Sequence, residues 1–132
     1  MELCRIMASS KPAATIIFAA VAGEEQSLLG SAYLAKTLKQ NGSNVEAMLN
    51  NDIVGSSTGS RGEKDPYTVR LFADGVPPTE SSSRASTRLK IGGENDSPAR
   101  ELGRFAAGVA SNNATEMNVA VVYRYGYFRI YL

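Results

Sequence analysis

Two adjacent glutamates, Glu24 and Glu25, close the apolar run TIIFAAVAG, and Asp52 closes a second run, VEAMLNND. A carboxylate beside an apolar core is costly, on the order of several kcal/mol, unless a cation, a proton or donor groups compensate it. One carboxylate can hold a hard or borderline cation while its neighbour takes a proton from metal-bound water. Adjacent residues leaving a strand point to different sides, so the pair suits two separate tasks better than one shared task. A plainer reading is also open. Both glutamates could sit at the N-terminus of the following helix, where negative charge gains roughly 0.3 to 1 kcal/mol. Asp52, in NNDIVG, could cap a turn.

The rest of the composition restricts the chemistry. None of the 132 residues is histidine, the commonest metal ligand and the commonest general base at neutral pH, so these tasks fall to carboxylates. Cys4 is the single cysteine, which excludes an internal disulfide and a thiolate metal cage. Ser56, Ser57 and Ser81 to Ser83 lie in polar stretches with no histidine to activate them, and nucleophilic readings fail. Fourteen basic residues nearly balance thirteen acidic ones without forming a stripe, so neither nucleic acid nor an anionic membrane surface is an expected partner. The N-terminal MELCRIMASSKP is neither an export signal nor a membrane span.

These carboxylates need elements to position them. The apolar fraction of 43% suffices for one modest core, with no internal repeat and no domain boundary. Leu3, Ile6 and Met7 predict a short helix that ends before Pro12. Residues 15–23 read as a strand buried on both faces, residues 30–42 as an amphipathic helix with Ser31, Leu34, Ala35 and Leu38 on one face, and residues 45–52 as a second strand. Together they predict a right-handed βαβ unit with Glu24, Glu25 and Asp52 beyond the carboxyl ends of its strands, where open α/β sheets bind ligands. Residues 55–66 read as loop, 67–75 as a strand, and 76–96 as a long irregular connection with a turn at Gly92-Gly93 after a strand-like RLKI. Ser97 as N-cap and Pro98 at the first helical position open a helix over 97–113, and 117–132 reads as a terminal strand. The expected core is Ile16, Ile17, Phe18, Ala20, Leu34, Leu38, Met48, Leu49, Leu102, Phe105, Val109, Val119 and Val121.

The stretch TIIFAAVAGEEQSLLGSAYLA followed by VEAMLNNDIVG resembles the core of the co-catalytic zinc aminopeptidases of metallopeptidase family twenty-eight, the group that includes aminopeptidases S and Y. The resemblance extends to MELCRIMAS, VRLFADGVP and SPARELGRFAA. It implies an α/β three-layer sandwich of the zinc-exopeptidase type, with a mixed, mostly parallel sheet flanked by helices. It further implies Glu24 as the general base that deprotonates the attacking water, Glu25 as a terminal ligand of one zinc and Asp52 as a terminal ligand of the other. In such sites two zinc ions polarise the scissile carbonyl and neutralise the oxyanion, and the substrate is a peptide with a free amino terminus. Export is common in the family, so a secreted or periplasmic location is implied for the full-length protein.

The chain departs from that pattern in several places. The family binds its zinc pair with five side chains, including an upstream His, an upstream bridging Asp and a downstream His. The chain starts after the first two positions, and VVYRYGYFRIYL diverges after Arg124. Ser27 stands where the family commonly has Gly. The expectation is therefore an incomplete catalytic domain over 1–132, family-like to about residue 122 and divergent over 123–132. Such a piece is expected to expose apolar surface, to be marginal alone and to lack activity. The alternative is a non-catalytic binding or structural domain of the same fold that has lost its metal ligands. A glycoside hydrolase using Glu24 and Asp52 as its carboxylate pair would need a sugar platform, and the chain has no Trp. Glutaminyl cyclases share the fold and remain a neighbouring chemistry.

Overall fold

The computed structural model describes residues 2–52, 54–113 and 116–123. It divides the chain into two units, Met1–Met48 and Leu49–Leu132.

The first unit is built from two helices. Helix α1 (Glu2–Met7) carries an exposed Glu2–Arg5 ion pair one turn apart. Of its expected apolar face Met7 is half-buried, while Leu3 and Ile6 are exposed. Helix α2 (Leu29–Gln40) ends as Asn41-Gly42 foretold. Gly42 takes a left-handed φ of 66°, its N–H reaches the Lys39 carbonyl at 3.1 Å, and the Ser43 N–H reaches the Leu38 carbonyl at 3.0 Å. That double closure satisfies the last carbonyls of the helix and stops it. Leu34 and Leu38 are half-buried, whereas Ser31 and Ala35 are exposed.

The strands expected over 15–23 and 45–52 do not form, and α2 therefore stands without the flanking strands of a βαβ unit. A strand buried on both faces needs neighbours to take its N–H and C=O groups. Residues 15–23 have no strand partner among the described residues, and Ile16, Ile17 and Phe18 stay 46, 57 and 42% exposed. The expected core positions Met48 and Leu49 are likewise exposed.

The second unit holds the sheet. Strand β1 (Thr68–Ala73) pairs in parallel with β2 (Asn118–Tyr123), in a register that sets Val69 opposite Val119 and Leu71 opposite Val121. Upstream of β1, residues 55–66 form turns closed by an antiparallel bridge between Thr58 and Lys64. The connection over 76–96, expected to be irregular, contains helix α3 (Ser82–Lys90) and a 3-10 turn (Gly93–Asp96). The RLKI segment thus runs from helix into turn and is not a strand. The polar sequence SSRASTRLK offers no apolar stripe to signal a helix. It is held instead by Arg88, whose guanidinium donates twice to the Glu80 carboxylate, at 2.9 and 2.8 Å, and once to the Gly93 carbonyl at 2.9 Å. Gly92, at φ 72°, makes the expected turn.

Helix α4 (Pro98–Asn112) starts as the sequence requires. The Ser97 hydroxyl accepts the Arg100 N–H at 3.2 Å and donates to the Asp74 carbonyl at 2.8 Å, tying the helix start to the exit of β1. The helix packs on both strands. At Gly103 an added Cβ would lie 3.2 Å from the Ala73 Cβ and 3.3 Å from the Val121 Cγ1. Small residues at this crossing let helix and sheet close together. Among the described residues the buried positions are Ala73, Gly75, Ser97, Arg100 and Gly103. The expected core positions Leu102, Val119 and Val121 are half-buried, and Phe105 and Val109 are exposed at 69 and 44%. The described architecture is α/β, one helix on a two-stranded parallel sheet; residues 124–132 of the expected terminal strand lie outside the described residues.

Candidate functional site

The turn that carries Glu24 and Glu25 joins residue 23 to helix α2, and its backbone is closely specified. Gly23, Ser27 and Leu28 all take left-handed φ values, 74°, 70° and 62°. Glycine does this freely, whereas each L residue with a Cβ is disfavoured by roughly 1–2 kcal/mol in this region. The Leu28, Leu29 and Gly30 N–H groups donate to the carbonyls of Glu24, Gly23 and Ala22, each at 2.9 Å. Donors left over at a helix start are in this way folded back onto the chain that enters it. Ser31 adds a hydroxyl bond to the Leu28 carbonyl at 3.1 Å.

Gly30 closes the turn. A Cβ there would stand 2.4 Å from the Ala22 oxygen, 2.8 Å from its nitrogen and 3.0 Å from the Val21 Cβ. Neither backbone nor side chain can clear that space without moving the strap 21–24.

Glu24 and Glu25 are exposed, and their side chains have no hydrogen bond or ion pair with any described residue. The residue before α2 is Leu28, with no side-chain cap bond, so neither glutamate caps the helix by hydrogen bonding. Asp52 belongs to the second unit, exposed in an irregular segment and also without a side-chain partner among the described residues. The structure brings Glu24 and Glu25 together on one turn; it does not place all three carboxylates on the ends of paired strands.

A catalytic zinc normally takes three protein ligands and keeps one position open. Among the described residues no three His, Cys, Asp or Glu side chains are grouped to hold a metal ion. With no histidine in the sequence, the residues present do not make a complete zinc site.

A second polar cluster, built from residues that carry no motif in the sequence, lies at the carboxyl ends of β1 and β2. Arg100, only 8% exposed, donates from Nη1 to the Asn95 Oδ1 at 2.8 Å and lays its guanidinium over the Tyr123 ring, 5.1 Å from the centroid. Its Nε and the Glu94 Oε2 are buried without a partner among the described residues. Gly75 fits between them, since a Cβ there would lie 2.6 Å from the Glu94 Cβ and 2.8 Å from the Arg100 Cζ. The available signal was spacing: Arg100 lies three residues after Ser97 and three before Gly103, on the face that meets the sheet.

Comparison with known proteins places these elements in a wider context. The model of peptidase family M28 matches residues 1–75. A probable zinc metalloprotease of Pyrenophora teres f. teres is 68% identical over 126 residues, covering 94% of this chain and 26% of the relative. Another from Pyrenophora tritici-repentis is 65% identical over 126 residues, covering 94% and 26%. A third, from Pyricularia oryzae, is 66% identical over 125 residues, covering 94% and 25%. The chain spans about a quarter of the length of the curated relatives it matches. No solved structure matches it.

Proposed function

Because the chain belongs to peptidase family M28, we propose that it supplies the general base and part of the metal-ligand set of a zinc-dependent aminopeptidase. Glu24 is the residue that takes the proton from the attacking water. Glu25 is a ligand of one zinc and Asp52 of a second, and the remaining ligands come from outside these 132 residues. The substrate is a peptide with a free amino terminus, and the complete domain is a three-layer α/β sandwich. The full-length protein that carries this segment is secreted or periplasmic, as the family resemblance implies.

The observation that carries the reading is the state of the two glutamates. Three hydrogen bonds close the turn that carries them, one of them on the Glu24 carbonyl, yet their carboxylates are exposed and uncommitted among the described residues. Positioned carboxylates of this kind are available for a cation and a proton.

The chain alone has two candidate ligand positions and no histidine. It is therefore expected to bind zinc weakly and to leave an aminoacyl anilide unhydrolysed. In a full-length family member carrying this segment, Glu24→Gln should abolish zinc-dependent anilide hydrolysis while zinc remains bound. Retained hydrolysis in that variant would remove Glu24 from the role. The lack of histidine also favours a second reading, a non-catalytic binding domain of the same family. Verified start and stop signals at the present ends of the coding region would put that reading first.

A further inference from the structure

We propose that Gly30, with the left-handed pair Ser27 and Leu28, is a positioning residue that fixes the direction in which Glu24 and Glu25 leave the chain. The inference rests on the reading of Glu24 as general base, and it concerns residues that do not themselves meet substrate.

Three independent features of the turn converge on it. The N–H groups of residues 28 to 30 each reach back to a carbonyl of residues 22 to 24 at 2.9 Å, so the two ends of the turn are stapled in register. The return of the chain needs two successive left-handed residues, and neither Ser27 nor Leu28 is a glycine. Non-glycine residues persist in that region only where the surroundings over-determine them. The surroundings here are the strap at 21–22, which comes so close to Gly30 that a methyl group would meet its backbone at 2.4 Å. Removing the close approach at Gly30 must lengthen or break the Ala22 and Gly23 bonds, and Glu24 follows directly on these residues. Proton transfer depends on placement, and a displacement of about 1 Å can reduce a rate about a hundredfold.

The test has a structural and a kinetic part. In a full-length family member carrying the segment, amide exchange should be slow at Leu28, Leu29 and Gly30 and should become fast at all three in Gly30→Ala. Fast exchange at these amides in the unaltered full-length protein would overturn the proposal. In a full-length family member carrying the segment, Gly30→Ala should lower kcat about a hundredfold with KM unchanged, and should add nothing in a Glu24→Gln background. Ser27→Val places a β-branched residue at a left-handed but exposed position, where folding is less at risk, and should lower kcat by about tenfold. If Gly30→Ala and Ser27→Val keep full kcat while Glu24→Gln loses it, the positioning role is overturned and the general base stands. If Glu24→Gln keeps full kcat, the general-base reading fails and the positioning role falls with it.

Discussion

The guanidinium of Arg100 stacks over the ring of Tyr123 and so joins the first turn of α4 to the last residue of β2. Its other attachment, to Asn95, precedes the helix. One buried cation thus ties the start of α4 and the turn before it to the end of β2.

Tyr123→Leu should therefore weaken the second unit by about 1 kcal/mol, since a cation over an aromatic face is worth roughly 0.5 to 2 kcal/mol according to its exposure. Arg100→Met should cost little more, because it also removes a buried Nε that has no acceptor among the described residues. Urea unfolding of both single variants and the double variant should give a coupling energy of about 0.5 to 1 kcal/mol. Strict additivity would show that the stacking contributes nothing.

Ser97→Ala should be the more damaging change. Ser97 is 1% exposed and serves both the Arg100 N–H and the Asp74 carbonyl. Losing a cap and leaving a half-buried carbonyl without its donor is expected to cost about 2 kcal/mol. Ser97→Asp keeps a cap acceptor but sets a buried carboxylate against the Asp74 carbonyl, and its midpoint in urea should fall below that of Ser97→Ala.

The polar face of α3 gives a pH signature. The Arg88 guanidinium holds the Glu80 carboxyl below its ordinary value of 4.5. A carboxylate with a depressed folded value contributes stability above its unfolded value, and that contribution is lost as pH falls through the folded value. Helical signal from α3 should therefore persist at pH 5 and decline in the acid range below 4.5. In Glu80→Gln the helix should be weaker at neutral pH and should lose this acid step, as followed by amide shifts of residues 83 to 90.

At Gly103 the space for a side chain is taken by Ala73 and Val121. Gly103→Val should separate α4 from the sheet and destabilise the unit by about 1 to 3 kcal/mol, the usual range for overpacking. An unchanged thermal midpoint would mean that the helix can shift outward freely.

What the sequence made legible was local. Ser97-Pro98 and Asn41-Gly42 mark their helix ends because capping and left-handed closure involve only neighbouring residues. The runs at 15–23 and 45–52 failed as strands because strand formation depends on partners, which composition cannot supply. Helix α3 is not legible in the sequence because its support comes from Arg88 reaching eight residues back to Glu80, a pairing with no apolar periodicity. At the site, the position of Glu24 and Glu25 just before a helix could be read. The left-handed backbone at Leu28 could not, since leucine carries no signal for it.

The parallel register of Val69 on Val119 joins residues some fifty positions apart. Loop-closure entropy for such a pairing must be met before the contact returns any free energy, so topology of this kind slows folding. Helix α4, nucleated by its own serine and proline, can form early and offer Gly103 as a landing place for the strands. Refolding should therefore be limited by strand docking, leaving the apolar faces of β1 and β2 unprotected for most of the reaction.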